Sequence, residues 1–514
     1  MSLTPDGPET RRKVRSLVDL STIASEARQK GQRIVHCHGV FDLLHVGHIR
    51  HFSQARKFGD LLIVTVTADR HVNKGPHRPA FPDQLRAEVV ASLECVDYVA
   101  INDAPLATEA IRALRPHVYV KGSEYRDTKD ITAGIIFEEQ AVKECGGQVA
   151  FTDDIVFSSS TLINRHIQLF PLEVKNYLTG FASRHSAAEV IGALDRLRGL
   201  KVLVLGDTII DEYQYCQAIG KSSKDPTLAV KHISTEQFAG GVLAIANHLA
   251  GFSDHVGLLT FVGERNPRED FVRGRLKSNV AATLLRKANA PTIVKRRFIE
   301  SYHFTKLLEV YEIDDARLDP STEELFCAEL VRLVPQYDAV IVADFGHGMM
   351  TRRAIEVVSA HARFMAVNVQ SNAANLGYHA ISKYSRADYL CLTEAELRLE
   401  ARDRECGLKE TMLEIARRLG SRNLSVTRGK EGSVCWGRED GFCEAPALAG
   451  QVVDRVGAGD AFLAITSPCA ALGLPADLIA FVGNAVGAQA VAIVGNRDSI
   501  ERVALYKQIE SLLK

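Results

Sequence analysis

The chain has 514 residues, more than one hydrophobic core usually serves, so two or more domains are expected. Lysine plus arginine total 62 against 63 aspartate plus glutamate, a balance that argues against a nucleic-acid or membrane-surface binder and confines ligands to local sites. The ten cysteines are scattered singly with no Cys-x-x-Cys pair, which argues against structural zinc and for a reduced, cytoplasmic setting.

The opening MSLTPDGPETRRKVRSL carries charge with no apolar segment behind it, so residues 1–30 read as an extension rather than a secretory signal. Over 31–172, β-branched runs alternate with helical patterns. Strands are expected at RIVHCH, LLIVTV, DYVAI, HVYV and GQVAF, with helices near 47–58, 83–93, 106–114 and 132–145. This is the alternation of βαβ units on a parallel sheet, whose ligands bind beyond the carboxyl ends of the strands, where His36 to His48 fall. Residues 173–196 predict a helical connector, with Val190, Ile191, Leu194 and Leu197 on one side. A second α/β domain spans 197–514 and opens with LKVLVLGDTIIDEY. Late in it, LIAFVGNAVGAQAVAIVG, interrupted by Asn484 and Gln489, predicts a close-packed core helix rather than a membrane span.

The stretch HGVFDLLHVGHIRH, residues 38–51, sets His45 and His48 around Gly47. Taken alone, two imidazoles three apart fit buried polar residues or metal ligands equally well. Gly39 allows a tight bend after the strand, Gly47 allows close approach of a ligand, and a helix N-terminus offers free N–H groups to an anion such as phosphate. His36, His38 and His51 are assigned mainly to packing. The stretch GVFDLLHVGHIRHFSQARKFGDLLIVTV, followed in order by NKGPHRPAFPDQLRAEVVASL, VYVKGSEY and FSSSTLI, resembles the cytidylyltransferase-like nucleotidyltransferase family with its H-x-G-H signature. The resemblance implies a Rossmann-like parallel sheet in which His45 and His48 stabilise a triphosphate and Lys74 and Arg86 assist the phosphates. It further implies that Lys121 and Gly122 border the base, that Ser159, Ser160 and Thr161 open a second phosphate-facing helix, and that Gly39, Phe41 and Asp42 line the nucleotide. A phosphorylated acceptor is already ionised at neutral pH and requires no general base. Charge stabilisation and in-line positioning by imidazoles, lysine, helix dipoles and Mg²⁺ remain, with ATP or CTP as donor.

In the second domain, DRVGAGDAFLA places Gly457, Ala458 and Gly459 directly before Asp460 and an apolar helical run. Successive N–H groups at such a helix start suit a transferring phosphoryl group, with Asp460 as base for a hydroxyl. The segment resembles the ribokinase-like (PfkB) sugar kinase family. That resemblance implies an α/β sandwich with a small β lid, and it places Asp207, Asp211, Gly240 and Gly241 on the sugar side. Thr427, Gly429 and Gly432 of LSVTRGKEGS fall on the nucleotide side, and Glu396 of LTEAELRLE acts indirectly on Mg²⁺. Three departures stand out: Ala244, with Asn247 and His248 downstream, where an asparagine is usual; Thr393 in place of asparagine; and VNVQ in place of an Asp-Pro-Lys-like segment. Loss of a hydroxyl-binding amide removes specificity, so an unusual sugar or a weakened kinase is expected.

Together the two domains resemble the bifunctional heptose 7-phosphate kinase and heptose 1-phosphate nucleotidyltransferases, with the domain order reversed. The expectation is a cytoplasmic homodimer or higher homo-oligomer that takes a sugar phosphate and nucleotides, binds neither nucleic acid nor membrane, and makes a nucleotide-activated sugar for surface polysaccharide. A transferase with a degenerate, structural or ligand-sensing kinase-like half is the alternative. The intact GAGD favours the first reading, whereas Ala244 and Thr393 favour the second.

Overall fold

The computed structural model describes residues 12–72, 78–122, 134–152, 170–372, 375–376 and 378–514. The chain divides into two compact units, Met1–Pro171 with Tyr506–Lys514, and Leu172–Leu505.

The first unit holds a parallel sheet of β1 (Ile34–Gly39), β2 (Leu61–Thr67), β3 (Tyr98–Asn102), β4 (Val118–Gly122) and β5 (Gln148–Thr152), in the order β3-β2-β1-β4-β5. These are the five expected runs, and the sheet is the expected parallel one. Its core joins alternate strand residues such as Val35, Cys37, Val64 and Val120 to Phe52, Ala87 and Val90 of the intervening helices. Because β1 pairs with β2 on one side and β4 on the other, the winding reverses there and opens a crevice at their carboxyl ends. The N-terminal extension contributes a helix, Leu17–Gln29, whose cap Ser16 accepts from Asp19 N–H at 3.1 Å. Its Leu20 and Ala24 pack on Ile34 and Ile63, so part of the segment read as a charged extension belongs to the core.

In the second unit, helices Leu172–Ala182 and Ala187–Asp195 occupy the expected connector, and Val190, Ile191, Leu194 and Leu197 are buried as their spacing predicts. The large sheet contains β6 (Lys201–Gly206), β9 (His255–Arg265), β10 (Val280–Pro291), β13 (Ala339–Asp344), β14 (Met365–Val369), β15 (Tyr389–Thr393), β16 (Asn423–Thr427), β17 (Ser433–Gly437) and β18 (Gly441–Ala445). Their order is β10-β9-β6-β13-β14-β15-β16-β17-β18, parallel up to β16 and antiparallel over the last two pairs. A second sheet, β12-β11-β7-β8, comprises β7 (Thr208–Lys221), β8 (Leu228–Gly241), β11 (Ile293–Glu300) and β12 (Thr305–Glu312). One residue, Asp207, separates β6 from β7, so it stands where the chain passes from the large sheet to the small one. The late apolar stretch forms helix Ala476–Ala490, buried on most sides, with Asn484 Nδ2 donating to Ser433 Oγ at 2.7 Å. Among the described residues no helix is long and apolar enough to cross a membrane.

Candidate functional sites

In the first unit, β1 ends at the crevice and the chain turns through Phe41 (φ 48°) into helix Val46–Ala55, which His45 caps. Gly47 N–H donates to His45 Nδ1 at 3.1 Å, which leaves the proton of the neutral ring on Nε2. Burial lowers the His45 pKa and favours that neutral form. His48 stacks on His45 at 3.9 Å between centroids and meets the Phe41 ring edge-on at 5.3 Å. A Cβ on Gly39 would come within 2.9 Å of the Phe41 ring, so this glycine makes room for the side chain that supports His48. The H-x-G-H segment therefore forms one preorganised unit: a helix start whose cap and first turn carry two mutually packed imidazoles.

The side chains of Arg86, Lys121 and Asp42 have partners inside the unit. Arg86 is buried and donates to Val40 O, Phe81 O and Thr67 O, the last two at 2.8 Å, and to Asp69 Oδ1 at 2.5 Å, so it ties the loops after β1 and β2 together instead of meeting phosphate. Lys121 places its amine 2.8 Å from Glu138 in the interior, leaving the strand-end backbone of Lys121 and Gly122 at the crevice. Burial alone raises the Glu138 pKa, but Lys121 and the hydrogen bonds from Lys121 and Ala107 N–H hold it down to about 2. Asp42 is also buried, 2.7 Å from Arg78 Nη1 and accepting from Ala80 N–H, so it braces the loop. His36 and His38 both meet the Thr65 hydroxyl at 2.8 Å, and His51 meets that of Thr152 at 2.8 Å. Burial foremost keeps them neutral, with pKa values of about 3, 4 and 4. Lys74, Ser159, Ser160 and Thr161 lie outside the described residues. Because Arg86 satisfies three carbonyls and a carboxylate, Arg86→Ala is expected to destabilise this unit by about 3–5 kcal/mol, read from chemical denaturation of the full chain.

In the second unit, Gly457 (φ 84°) caps helix Ala458–Ala471, and a Cβ there would collide with the Asn496 amide. Only glycine fits, which sets the N–H groups of Ala458, Gly459 and Asp460 at the helix start. Asp460 lies in the first turn; desolvation first and the charge of Asp211 second raise its pKa to about 7, with Lys295 opposing and Glu396 adding. That value suits a base working near neutrality. Asp211, on β7, accepts from Arg297 of β11 and from Asn496 Nδ2 at 3.3 Å, and a side chain at Gly240 would strike its carboxylate. Gly241 caps helix Val242–Ala250 from the end of β8. Thr427 ends β16, with Gly429 and Gly432 in the tight turn to β17.

Glu396 is spoken for by backbone: it accepts from Thr393 N–H at 2.8 Å and Ser371 N–H at 3.0 Å, and burial raises its pKa. Thr393 Oγ1 accepts from Glu396 N–H at 3.2 Å, completing a capping box on helix Glu394–Ala401. Threonine thus does what asparagine does at an N-cap, and this departure does not disturb the local structure. Ala244 is buried, and neither downstream candidate replaces an amide: Asn247 bonds Arg275 O and Lys277 N–H, while buried His248 accepts from Ile500 N–H at 2.9 Å.

Sequence reasoning did not single out Lys295, Arg297 or Asn496. Lys295 is buried on β11, has no carboxylate at ion-pair distance among the described residues, and lies within electrostatic reach of Asp211, Asp460 and Asp207. The signal was the alternation in VKRRFIE, which puts Lys295 and Arg297 on one face of a strand.

An imidazole pair at a helix start on one parallel sheet, and a buried aspartate in the first turn of a glycine-capped helix on a larger one, define a chain of two phosphoryl-handling α/β domains. The chain belongs to the pfkB family of carbohydrate kinases, whose family model matches residues 200–502, more than half its length; residues 36–166 match the cytidylyltransferase-like family model. The Bifunctional protein HldE of Syntrophotalea carbinolica is 36% identical over 157 residues, 30% of this chain and 31% of that protein. That of Methylococcus capsulatus is 42% identical over 155 residues, 30% of this chain and 32% of that protein. The chain thus spans about a third of the length of the curated relatives it matches. Phosphofructokinase-2 from Escherichia coli in complex with substrates and products shares the fold at a TM-score of 0.52 and 13% identity, over 61% of this chain and all of the other. The same enzyme in complex with fructose-6-phosphate gives a TM-score of 0.50 at 13% identity, with the same coverage of both chains.

Proposed function

We propose that the chain is a bifunctional enzyme: its C-terminal domain phosphorylates a sugar at the anomeric hydroxyl with ATP, and its N-terminal domain transfers AMP or CMP onto the resulting 1-phosphate. The product is a nucleotide-activated sugar of the kind used for surface polysaccharide. Asp460 carries the reading, as a carboxylate with its pKa raised to about 7 in the first turn of the helix that Gly457 caps. It takes the hydroxyl proton as the sugar oxygen attacks the γ-phosphorus, while the helix start holds the phosphoryl oxygens. Lys295 offsets the charge that gathers there. In the other domain, His45 and His48 stabilise charge around the α-phosphate as the sugar phosphate displaces pyrophosphate. Among the described residues no three His, Cys, Asp or Glu gather to hold a metal alone. Glu396, whose carboxylate oxygens accept from Thr393 and Ser371 N–H, would act on a Mg²⁺ only indirectly, through waters that the ion would keep, and the ion would neutralise charge on the nucleotide phosphates. The transferase preceding the kinase, a homodimer or higher assembly, and a cytoplasmic setting belong to the same reading.

Ala244, buried where a sugar-binding amide is usual, supports a second reading in which the kinase-like half is structural or senses a ligand. Incubation of the full chain with each NTP, Mg²⁺ and a panel of free sugars, with products identified by mass spectrometry, separates the two. The nucleotide sugar is expected from the free anomer in wild type. Asp460→Asn abolishes it and added sugar 1-phosphate restores it, whereas His48→Ala accumulates the 1-phosphate. Failure of any 1-phosphate to rescue Asp460→Asn, with wild type still making product, rejects consecutive steps.

A further inference from the structure

Three residues before Gly457 stands Asp454, a buried carboxylate whose two oxygens each take two hydrogen bonds. Oδ1 accepts from Lys306 Nζ at 2.8 Å and from Val456 N–H at 3.2 Å. Oδ2 accepts from the Tyr213 hydroxyl at 2.6 Å and from Gly495 N–H at 2.9 Å. Each oxygen thus joins a side chain of the small sheet, Lys306 on β12 or Tyr213 on β7, to a backbone N–H of the segments that flank the Gly457 helix start. Burial by itself raises the pKa of this carboxyl, but the bonds from Lys306 and Tyr213 hold it below the ordinary value, so it bridges as an anion.

Two further links run beside this one. Asn496, next to Gly495, packs its amide against Gly457, where a Cβ would collide with it, and its Nδ2 donates to Asp211 on β7 at 3.3 Å. Arg497 pairs with Glu236 on β8, which also accepts from the Tyr215 hydroxyl at 2.8 Å. Strands β7, β8 and β12 are therefore all tied to the segments 454–457 and 495–497, whereas residues 217–221 of β7 and 231–235 of β8 are exposed. The small sheet is anchored at one end. A swing of that sheet away from the helix start breaks these bonds and leaves the buried Asp454 charge with half its donors.

We propose that Asp454 is a positioning residue that couples the nucleotide and acceptor sides of the kinase site: phosphate bound at the Gly457 helix start holds the small sheet docked through Asp454, Lys306 and Tyr213. The inference rests on reading the C-terminal domain as a kinase. Phosphate oxygens on the N–H groups that follow Gly457 fix the turn 454–457, the turn fixes the carboxylate through Val456 N–H, and the carboxylate fixes the sheet that carries Asp211. The coupling is reciprocal, since opening of the sheet withdraws two donors from Asp454 and disturbs the same turn. The Lys306 side chain is 32% exposed, so its replacement tests the link without emptying the core.

Hydrogen exchange of the full chain with and without Mg·AMP-PNP tests the proposal, read on peptides covering 293–312 of the small sheet and 454–471 of the helix. In wild type, nucleotide is expected to slow exchange of both regions, that of the small sheet by roughly tenfold, the equivalent of one hydrogen bond to a charged group. Lys306→Met is expected to speed exchange over 293–312 by roughly tenfold without nucleotide and to lose most of the slowing by nucleotide, while 454–471 is still protected. Lys306→Arg restores the slowing. A merely structural ion pair behaves differently: its loss speeds exchange in both states alike and leaves the nucleotide effect intact, and that result overturns the proposal. So does a wild-type small sheet that exchanges equally in both states while 454–471 is protected, an outcome that leaves the kinase reading standing. No protection over 454–471 removes the kinase reading and the coupling with it.

Discussion

Asp460→Asn is expected to lower ATP-dependent sugar phosphorylation by about 10²–10⁴-fold, the range for removing a positioned general base. Binding of ATP should change little, because Gly457 and the N–H groups after it are untouched. The pH profile supplies a second signature. A base works deprotonated, and desolvation together with Asp211 raises the pKa of Asp460 to about 7. In wild type, kcat/KM for the sugar therefore falls about tenfold per pH unit below that value and levels off above it. Lys295 holds the Asp460 pKa down, so Lys295→Met should move this limb to higher pH. An Asp460→Asn protein that retains full activity, or a wild-type profile flat from pH 5.5 to 8.5 (roughly the range over which such a limb is visible), removes Asp460 from the role of base.

His48→Ala is expected to lower nucleotidyl transfer onto sugar 1-phosphate by about 10²–10³-fold, the cost of losing one electrostatic donor at a phosphorus centre. The ring packs on His45 and on Phe41 at the surface of the crevice, not in the strand core, so thermal unfolding should shift only slightly. Release of pyrophosphate from labelled NTP measures the effect. Undiminished release by a folded His48→Ala protein sinks the assignment of the imidazole pair to the phosphates.

Much of the framework was legible in the chain. The five strands of the first sheet follow from β-branched runs spaced by helical patterns, and the helix over 187–195 follows from apolar spacing, because both depend on local periodicity. The placement of His45, His48, Gly457 and Asp460 at helix starts was legible for a related reason: a helix start, its cap and its first turn lie within a few residues of one another. Roles set by distant partners were not. Arg86 and Lys121 look like phosphate and base contacts in the sequence, yet three carbonyls around Arg86 and the Glu138 carboxylate draw them inward. Thr393 looks like a loss until its capping bond with Glu396 is seen.

The sequence by itself thus determined two α/β domains, their order, and the two helix starts, since each is encoded in contiguous residues. The tertiary structure alone decided which charges face those starts. Asp211 on β7, Lys295 and Arg297 on β11 and Asn496 beyond the last core helix are brought together from over 280 positions of chain (Asp211 and Asn496 differ by 285). The pKa of Asp460 is a sum over burial and those neighbours. Such sums depend on distance in space, which side-chain order along the chain does not contain.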